Sequence, residues 1–224
     1  EDLDKLEELS AKLKTVIDAA GQYYLHGQRV FNAVEPIALA VMLAEQEGEQ
    51  AQLRRALSTQ GVILTATRNT PDALRSLLQA LELAERKEDL PGPAATWINI
   101  AVTFFDATLY NDARVCYQRG AITAGSIADQ AQSVKARCRA LYGAAQCDLH
   151  LHADLPGIAA CEEALDLNAE PRDREQEQVR ALVEATYAQL LLALHRTEDA
   201  AAHATVAREM AAKSGAARAK IAAA

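Results

Sequence analysis

The sequence predicts an all-α fold, an array of about five antiparallel helix pairs, and three observations carry that prediction. Half of the 224 residues are apolar but only 4% are aromatic, and Ala and Leu dominate while Val, Ile and Phe are sparse, a composition that favours helices over strands. Apolar residues return every three to four positions, with helix breakers between the runs. One arrangement of small and bulky residues also recurs at a fixed interval, the mark of a repeat architecture. Ala33, Ile37 and Ala40 return forty residues on as Ala73, Leu77 and Ala80, and forty further as Ala113, Tyr117 and Gly120. Twelve residues before each leading alanine stands a small residue, Gly21, Gly61 or Ala101, followed three later by Tyr24, Leu64 or Phe104. The pattern continues with Ala145, Gly157, Cys161 and Ala164 after an offset of 44, and with Ala188, Leu191, Ala200, Ala204 and Ala207 after 43.

Taken in order, the first helix shows Leu3, Leu6, Leu9, Leu13, Ile17 and Ala20 on one face, with Glu1–Lys5 and Glu8–Lys12 spaced to pair on the other. Second helices carry start signals at equivalent places, Thr70-Pro71-Asp72, Asp154-Leu155-Pro156 and Thr197-Glu198-Asp199, each an oxygen-bearing cap followed by Pro or an acid. Asn32 with Glu35 reads as a shifted capping box in the first unit. Breakers between units are Gly48, Leu90-Pro91-Gly92-Pro93, Gly125-Ser126, Glu170-Pro171 and Ser214-Gly215, each expected to end a second helix. The boundaries that follow are 1–48, 49–91, 92–125, 126–170 and 171–215, with a short tail at 216–224, all in a single domain. Small columns have a physical cause, because two helices approach closely only where one side chain is Gly or Ala. A pair left alone would expose an apolar face, so pairs must stack.

Trp97-x2-Ile100-Ala101-x2-Phe104 followed by Ala113-x3-Tyr117 resembles the tetratricopeptide (TPR) signature of Trp, Leu-Gly, Tyr, Ala and Phe at those intervals. The resemblance covers all five units, strongly in the middle three and loosely in the last two, where Asp148 takes an aromatic column and Cys161 replaces an aromatic. It implies a right-handed superhelix. Units of forty residues exceed the usual 34 of that family. With Ala80 to Glu85 running into Asp89-Leu90, they look like the longer repeats of bacterial signalling and transcription regulators.

Composition and motifs exclude several functions. With 23 Lys and Arg against 31 Asp and Glu the net charge is −8, the wrong sign for a phosphate-backbone binder, so no nucleic-acid partner is expected. The longest apolar run, Ile37 to Ala44, is far short of the roughly 20 residues of a membrane span, so no membrane partner is expected either. Glu1-Asp2-Leu3-Asp4 shows no basic stretch before an apolar core and no initiator Met, so the chain reads as a trimmed cytoplasmic piece without a secretory leader. Cys116, Cys138, Cys147 and Cys161 lie in helical pattern without a Cys-x-x-Cys pair, which reads as reduced core thiols. No phosphate loop, zinc-protease helix, nucleophile elbow or acidic cyclase motif is present, so neither an enzyme nor a cofactor is expected. Cys147, His150 and Asp154 have the spacing of three ligands on one helical face, with His152 nearby, but Asp154 has a place as a helix cap. His26, His150, His152 and His195 sit near the ends of first helices, where helix polarity favours them.

What remains is the surface of the first helices. In tetratricopeptide arrays these line a concave groove that holds a peptide or helix, so the resemblance implies a groove containing Arg55, Val62, Ile98, Asn99, Val102, Phe105, Arg139, Tyr142, Gln146 and Leu149. Ile98, Val102, Phe105, Tyr142 and Leu149 form its apolar stripe, and Arg55 and Arg139 bound it as partners for an acidic ligand. Asn99 stands where the family often holds a ligand backbone, whereas Ala95 and Ile98 depart from the carboxylate-clamp version. The function this supports is a protein-interaction scaffold. Its alternative is the sensory or regulatory input region of a bacterial multidomain signalling protein, with the stripe covered by a second copy in a homodimer or by the array's own terminal helix.

Overall fold

The structure, a computed structural model, describes residues 11, 13–19, 30–85 and 91–214. The start of the first helix at Leu3, the column residues Gly21 and Tyr24, His26 and the tail beyond Ser214 lie outside the described residues. Among the described residues there is no strand. Residues 13–19 are helical, and a 3₁₀ turn, Val30–Ala33, leads into the nine α-helices that follow among the described residues. They are α1 (Val34–Gln46), α2 (Gln50–Ala66), α3 (Thr70–Glu85), α4 (Pro91–Asp106), α5 (Tyr110–Gly125), α6 (Gln130–His150), α7 (Asp154–Leu167), α8 (Arg174–Ala193) and α9 (Thr197–Ser214).

Two compact units emerge, Glu1–Ala107 and Thr108–Ala224. In the first, α2 packs on α1, α3 and α4; in the second, α6 packs on α5, α7 and α8, and α8 on α7 and α9. Within each unit every helix packs on its chain neighbours, and first helices also pack on each other, α2 on α4 and α6 on α8, the packing of stacked helix pairs. The columns read from the sequence are the core. Ala33, Ala73 and Ala113 have no exposed surface, and neither do Ile37 and Leu77. In the first unit Ala33, Ile37, Ala40 and Ala80 join Leu13, Ile17, Leu53, Leu57 and Ile63, and in the second Cys161 and Ala164 join Leu141, Ile158, Val183, Leu190 and Leu191.

The turn inside a pair is built by the backbone. After α2 the amide of Arg68 donates to the Thr65 carbonyl and that of Asn69 to Leu64; after α6, His152 donates to Leu149 and Ala153 to Asp148; after α8, His195 donates to Leu192 and Arg196 to Leu191. This double bond closes only when the middle residue is left-handed. Arg68, Thr108, His152 and His195 have φ of 62°, 61°, 54° and 59° and stand at intervals of 40, 44 and 43 residues, so the turn repeats with the helices. Gly48, φ 70°, makes the same turn after α1.

Some expected signals are therefore corrected. Asp154 is the first residue of α7 rather than its cap; Ala153 holds that place with no side-chain bond, because the preceding turn already sets the chain direction. Asn32–Glu35 forms no capping box, since Ala33 before α1 is itself in helical conformation while a capping side chain needs an extended residue. Pro91-Gly92-Pro93 opens α4 instead of closing the helix before it, as suits proline in a first turn. Side-chain caps occur where pairs meet: Asp129 accepts from the amides of Ala131 and Gln132 at the start of α6, and Asp173 from Gln176 at the start of α8.

Candidate functional site

The ten groove residues separate by unit. In the first unit Arg55 and Val62 lie on α2, and Ile98, Asn99, Val102 and Phe105 on α4. Val62, Asn99, Val102 and Phe105 are half-buried, while Ile98, 7% exposed, belongs to the packed interior. Arg55 Nη2 bonds Asp18 Oδ1 at 3.0 Å. Between α2 and α4, Thr65 and Thr103 meet through their hydroxyls at 2.7 Å, and each also reaches a carbonyl one turn back, Gly61 and Asn99 respectively. Two hydroxyl protons serve three contacts, so at any moment one of the three carries no proton.

In the second unit Arg139, Tyr142, Gln146 and Leu149 all lie on α6. Tyr142 and Leu149 are half-buried with one side against the core formed by Ile158, Val183 and Leu190. Gln146 Nε2 donates to Thr186 Oγ1 at 2.7 Å. Arg139 pairs with Glu175 at 3.6 Å, and Lys135 with Asp173 at 2.7 Å and Glu175 at 3.5 Å. The hydrogen bond from Lys135 pulls the Asp173 carboxyl below its ordinary value and raises the Lys135 ammonium above its own. These bonds run between first helices of successive pairs, residues 37 to 40 apart in Arg55–Asp18, Thr65–Thr103 and Gln146–Thr186. Arg55, Arg139 and Gln146, read as ligand contacts, are thus also ties between repeats. Exposed ion pairs contribute only about 0–1 kcal/mol, so the pair of Arg139 with Glu175 adds little to stability.

Sequence reasoning missed a buried ion pair. Asp148, 3% exposed on α6, meets Arg114 of α5 at 3.1 Å in the column where an aromatic was expected. Burial pushes its carboxyl up, against the hydrogen bond and charge of Arg114. It also missed that the large exposed apolar side chains sit mainly on second helices: Leu39 and Met42 on α1, Leu78 on α3, Val115 and Ile122 on α5, Leu155 on α7.

All four cysteines are free and buried. Burial raises each thiol, Cys138 to about 11 and Cys147 and Cys161 to about 12, so none is a ready thiolate. His150 stacks on Tyr110 with ring centres 4.4 Å apart and planes 3° from parallel. Among the described residues no group of three or more His, Cys, Asp or Glu is placed to hold a metal, and no helix is long and apolar enough to cross a membrane.

The folded chain resembles solved helical-repeat structures. A kinesin light chain-like protein of Podosopora anserina with nearly identical TPR-like repeats matches with a TM-score of 0.72 at 14% identity, over 91% of this chain and 96% of the other. A second structure of that protein gives 0.70 at 14% over 90% and 96%, and BtubC (BKLC) of P. vanneervenii gives 0.64 at 14% over 93% and 91%. The fold is that of TPR-like repeats. No protein-family model matches the sequence, and no curated protein sequence does. At this identity the likeness is one of fold.

Proposed function

We propose that the chain is a protein-interaction scaffold that binds a peptide or helix along its first helices. The observation that carries this reading is the placing of half-buried apolar residues on those helices, Val102 and Phe105 in the first unit and Tyr142 and Leu149 in the second, beside Asn99, Gln146 and Arg139. Each unit thereby has its own row of apolar anchors next to amide or guanidinium groups. That is the composition from which peptide-binding surfaces are made: a few aromatic or aliphatic anchors supply affinity, and polar neighbours set orientation. A docked helix would read the anchors at three- to four-residue spacing and an extended peptide at alternate residues. Arg139 and Arg55 favour an acidic ligand.

Affinity capture from cells, comparing the parent with Phe105→Ala and separately with Tyr142→Ala/Arg139→Glu, tests the reading. Circular dichroism first establishes that each variant is folded. A partner kept by the parent and lost by a folded variant supports it and identifies the unit responsible. Capture of the same proteins by all three contradicts it, and a change confined to elution mass assigns these faces to self-association.

A further inference from the structure

The side of α1 that packs into the core carries Ile37, Ala40, Val41 and Ala44. Its opposite side is apolar as well. Leu39 is 54% exposed and Met42 56%, and Phe31, 72% exposed, stands in the 3₁₀ turn just before the helix. Positions 35, 39 and 42 follow helical steps of four and three, so Glu35, Leu39 and Met42 form one line along α1. A lone exposed leucine such as Leu78 on α3 is ordinary, whereas neighbouring large apolar side chains left in water mark a surface that another molecule covers.

Charge around this side has a single sign. Residues 30–53 contain four Glu and no Asp, Lys, Arg or His, a formal charge of −4. Glu35 precedes Leu39 by one turn, Glu45 follows Met42 in the last turn of α1, Glu47 stands at the C-terminal cap and Glu49 just beyond it. The C-terminal end of a helix is the negative end of its dipole, so acids there lower its stability and cations suit it. The last turn of α1 holds no basic residue. Three glutamates gathered at that end break a local rule of helix stability, and such breaks are characteristic of functional surfaces.

We propose that the outer side of α1 docks a basic amphipathic helix of another protein, a ligand opposite in charge to the acidic one that Arg55 and Arg139 favour. The charge decides among the molecules that could cover Leu39 and Met42. An anionic bilayer is repelled by it. A second copy presenting the same side would set its glutamates against these, and like charges facing across an interface oppose association. A basic amphipathic helix is complementary on both counts, with its apolar line on Phe31, Leu39 and Met42 and its Lys or Arg residues at the two acidic flanks. Met42 suits such a contact because its flexible, polarisable side chain adapts to the surface laid on it.

The test uses the full chain and a fluorescein-labelled synthetic peptide of about five helical turns, with Leu along one face and Lys on the others, read by anisotropy. Saturable binding that weakens as salt is added is expected. Leu39→Ser/Met42→Ser and Glu45→Gln/Glu47→Gln should each weaken it about tenfold. Glu170→Gln/Glu209→Gln, which removes the same charge from exposed positions of the second unit, should leave it unchanged. The Glu45→Gln/Glu47→Gln variant should also unfold at a urea concentration equal to or above that of the parent, because it relieves the end of α1, so its loss of binding is not a loss of fold. No saturable binding, equal binding of a scrambled peptide of the same composition, full binding by both α1 variants, or an equal loss in the Glu170→Gln/Glu209→Gln variant would overturn the site. A parent that elutes as a dimer and a Leu39→Ser/Met42→Ser variant that elutes as a monomer would overturn it too, by assigning this side of α1 to a second copy.

Discussion

At Gly61 an added Cβ would collide with Cγ of Leu77 and stand 2.7 Å from its Cδ2 and 3.2 Å from the Ala73 carbonyl, so the close contact of α2 with α3 depends on the absence of a side chain. Gly61→Leu should cost about 1–3 kcal/mol by overpacking, read from urea unfolding, and an unchanged midpoint would break the register. Gly143 is the same device between α6 and α5, where a Cβ would stand 2.6 Å from Cδ1 of Tyr117. Gly61 was legible because it falls in a repeating column; Gly143 was not, because its partner sits on a helix of the neighbouring pair. Arg68 and His195 were hidden for another reason, since nothing in arginine or histidine announces a left-handed turn. Arg68→Gly and His195→Gly should each stabilise by about 0.5–1 kcal/mol, measured by the same unfolding curves, because glycine takes that conformation without strain. Asp148 carries a pH signature. Its folded carboxyl lies above the ordinary 3.8, so its contribution to stability declines as pH rises through the interval between those values. Relative to Asp148→Asn, the parent should lose stability on going from about pH 3.5 towards neutrality, and parallel pH profiles would contradict this.

Among the described residues helices start in two ways. Inside a pair the backbone turn sets the next helix, which is why Asn69, Leu109, Ala153 and Arg196 can occupy equivalent places with their carbonyls accepting from Ala73, Ala113, Gly157 and Ala200. Before α6 and α8 the chain arrives extended from the preceding pair, and Asp129 and Asp173 cap with their side chains, whereas before α2 Gly48 makes the backbone turn again. Asp129→Ala should cost about 1 kcal/mol and speed amide exchange in the first turn of α6 alone, whereas Asp154→Ala should leave the first turn of α7 unchanged in exchange, having no cap bond to lose. The reading of Thr70, Asp154 and Thr197 as a cap series placed those helix starts correctly but assigned the wrong cause. An oxygen-bearing residue in a first turn and one at the cap look alike in sequence, and only the backbone angle before the helix distinguishes them.

Across the chain, the interval of about forty residues carries helices, turns and inter-helix bonds together, which is what a stack of like units requires. That interval was legible because close helix contacts admit so few residue types. The candidate faces were legible only in part. Val102, Phe105, Tyr142 and Leu149 stand half-buried on first helices, but Ile98 is interior, and Arg55, Arg139 and Gln146 bond across to the neighbouring repeat. Helical periodicity gives the direction of a side chain without saying how wide the buried stripe is or which residue of the next helix comes within reach. The central claim is that these first-helix faces are the working surface. Site-specific photo-crosslinking tests it most directly, with the crosslinker placed in turn at Phe105, at Tyr142 and, as the control, at Ile122 on the exposed side of α5. The account predicts one protein partner crosslinked from position 105 or 142 and none from 122; the same partner captured from 122 and from neither first-helix position would contradict it.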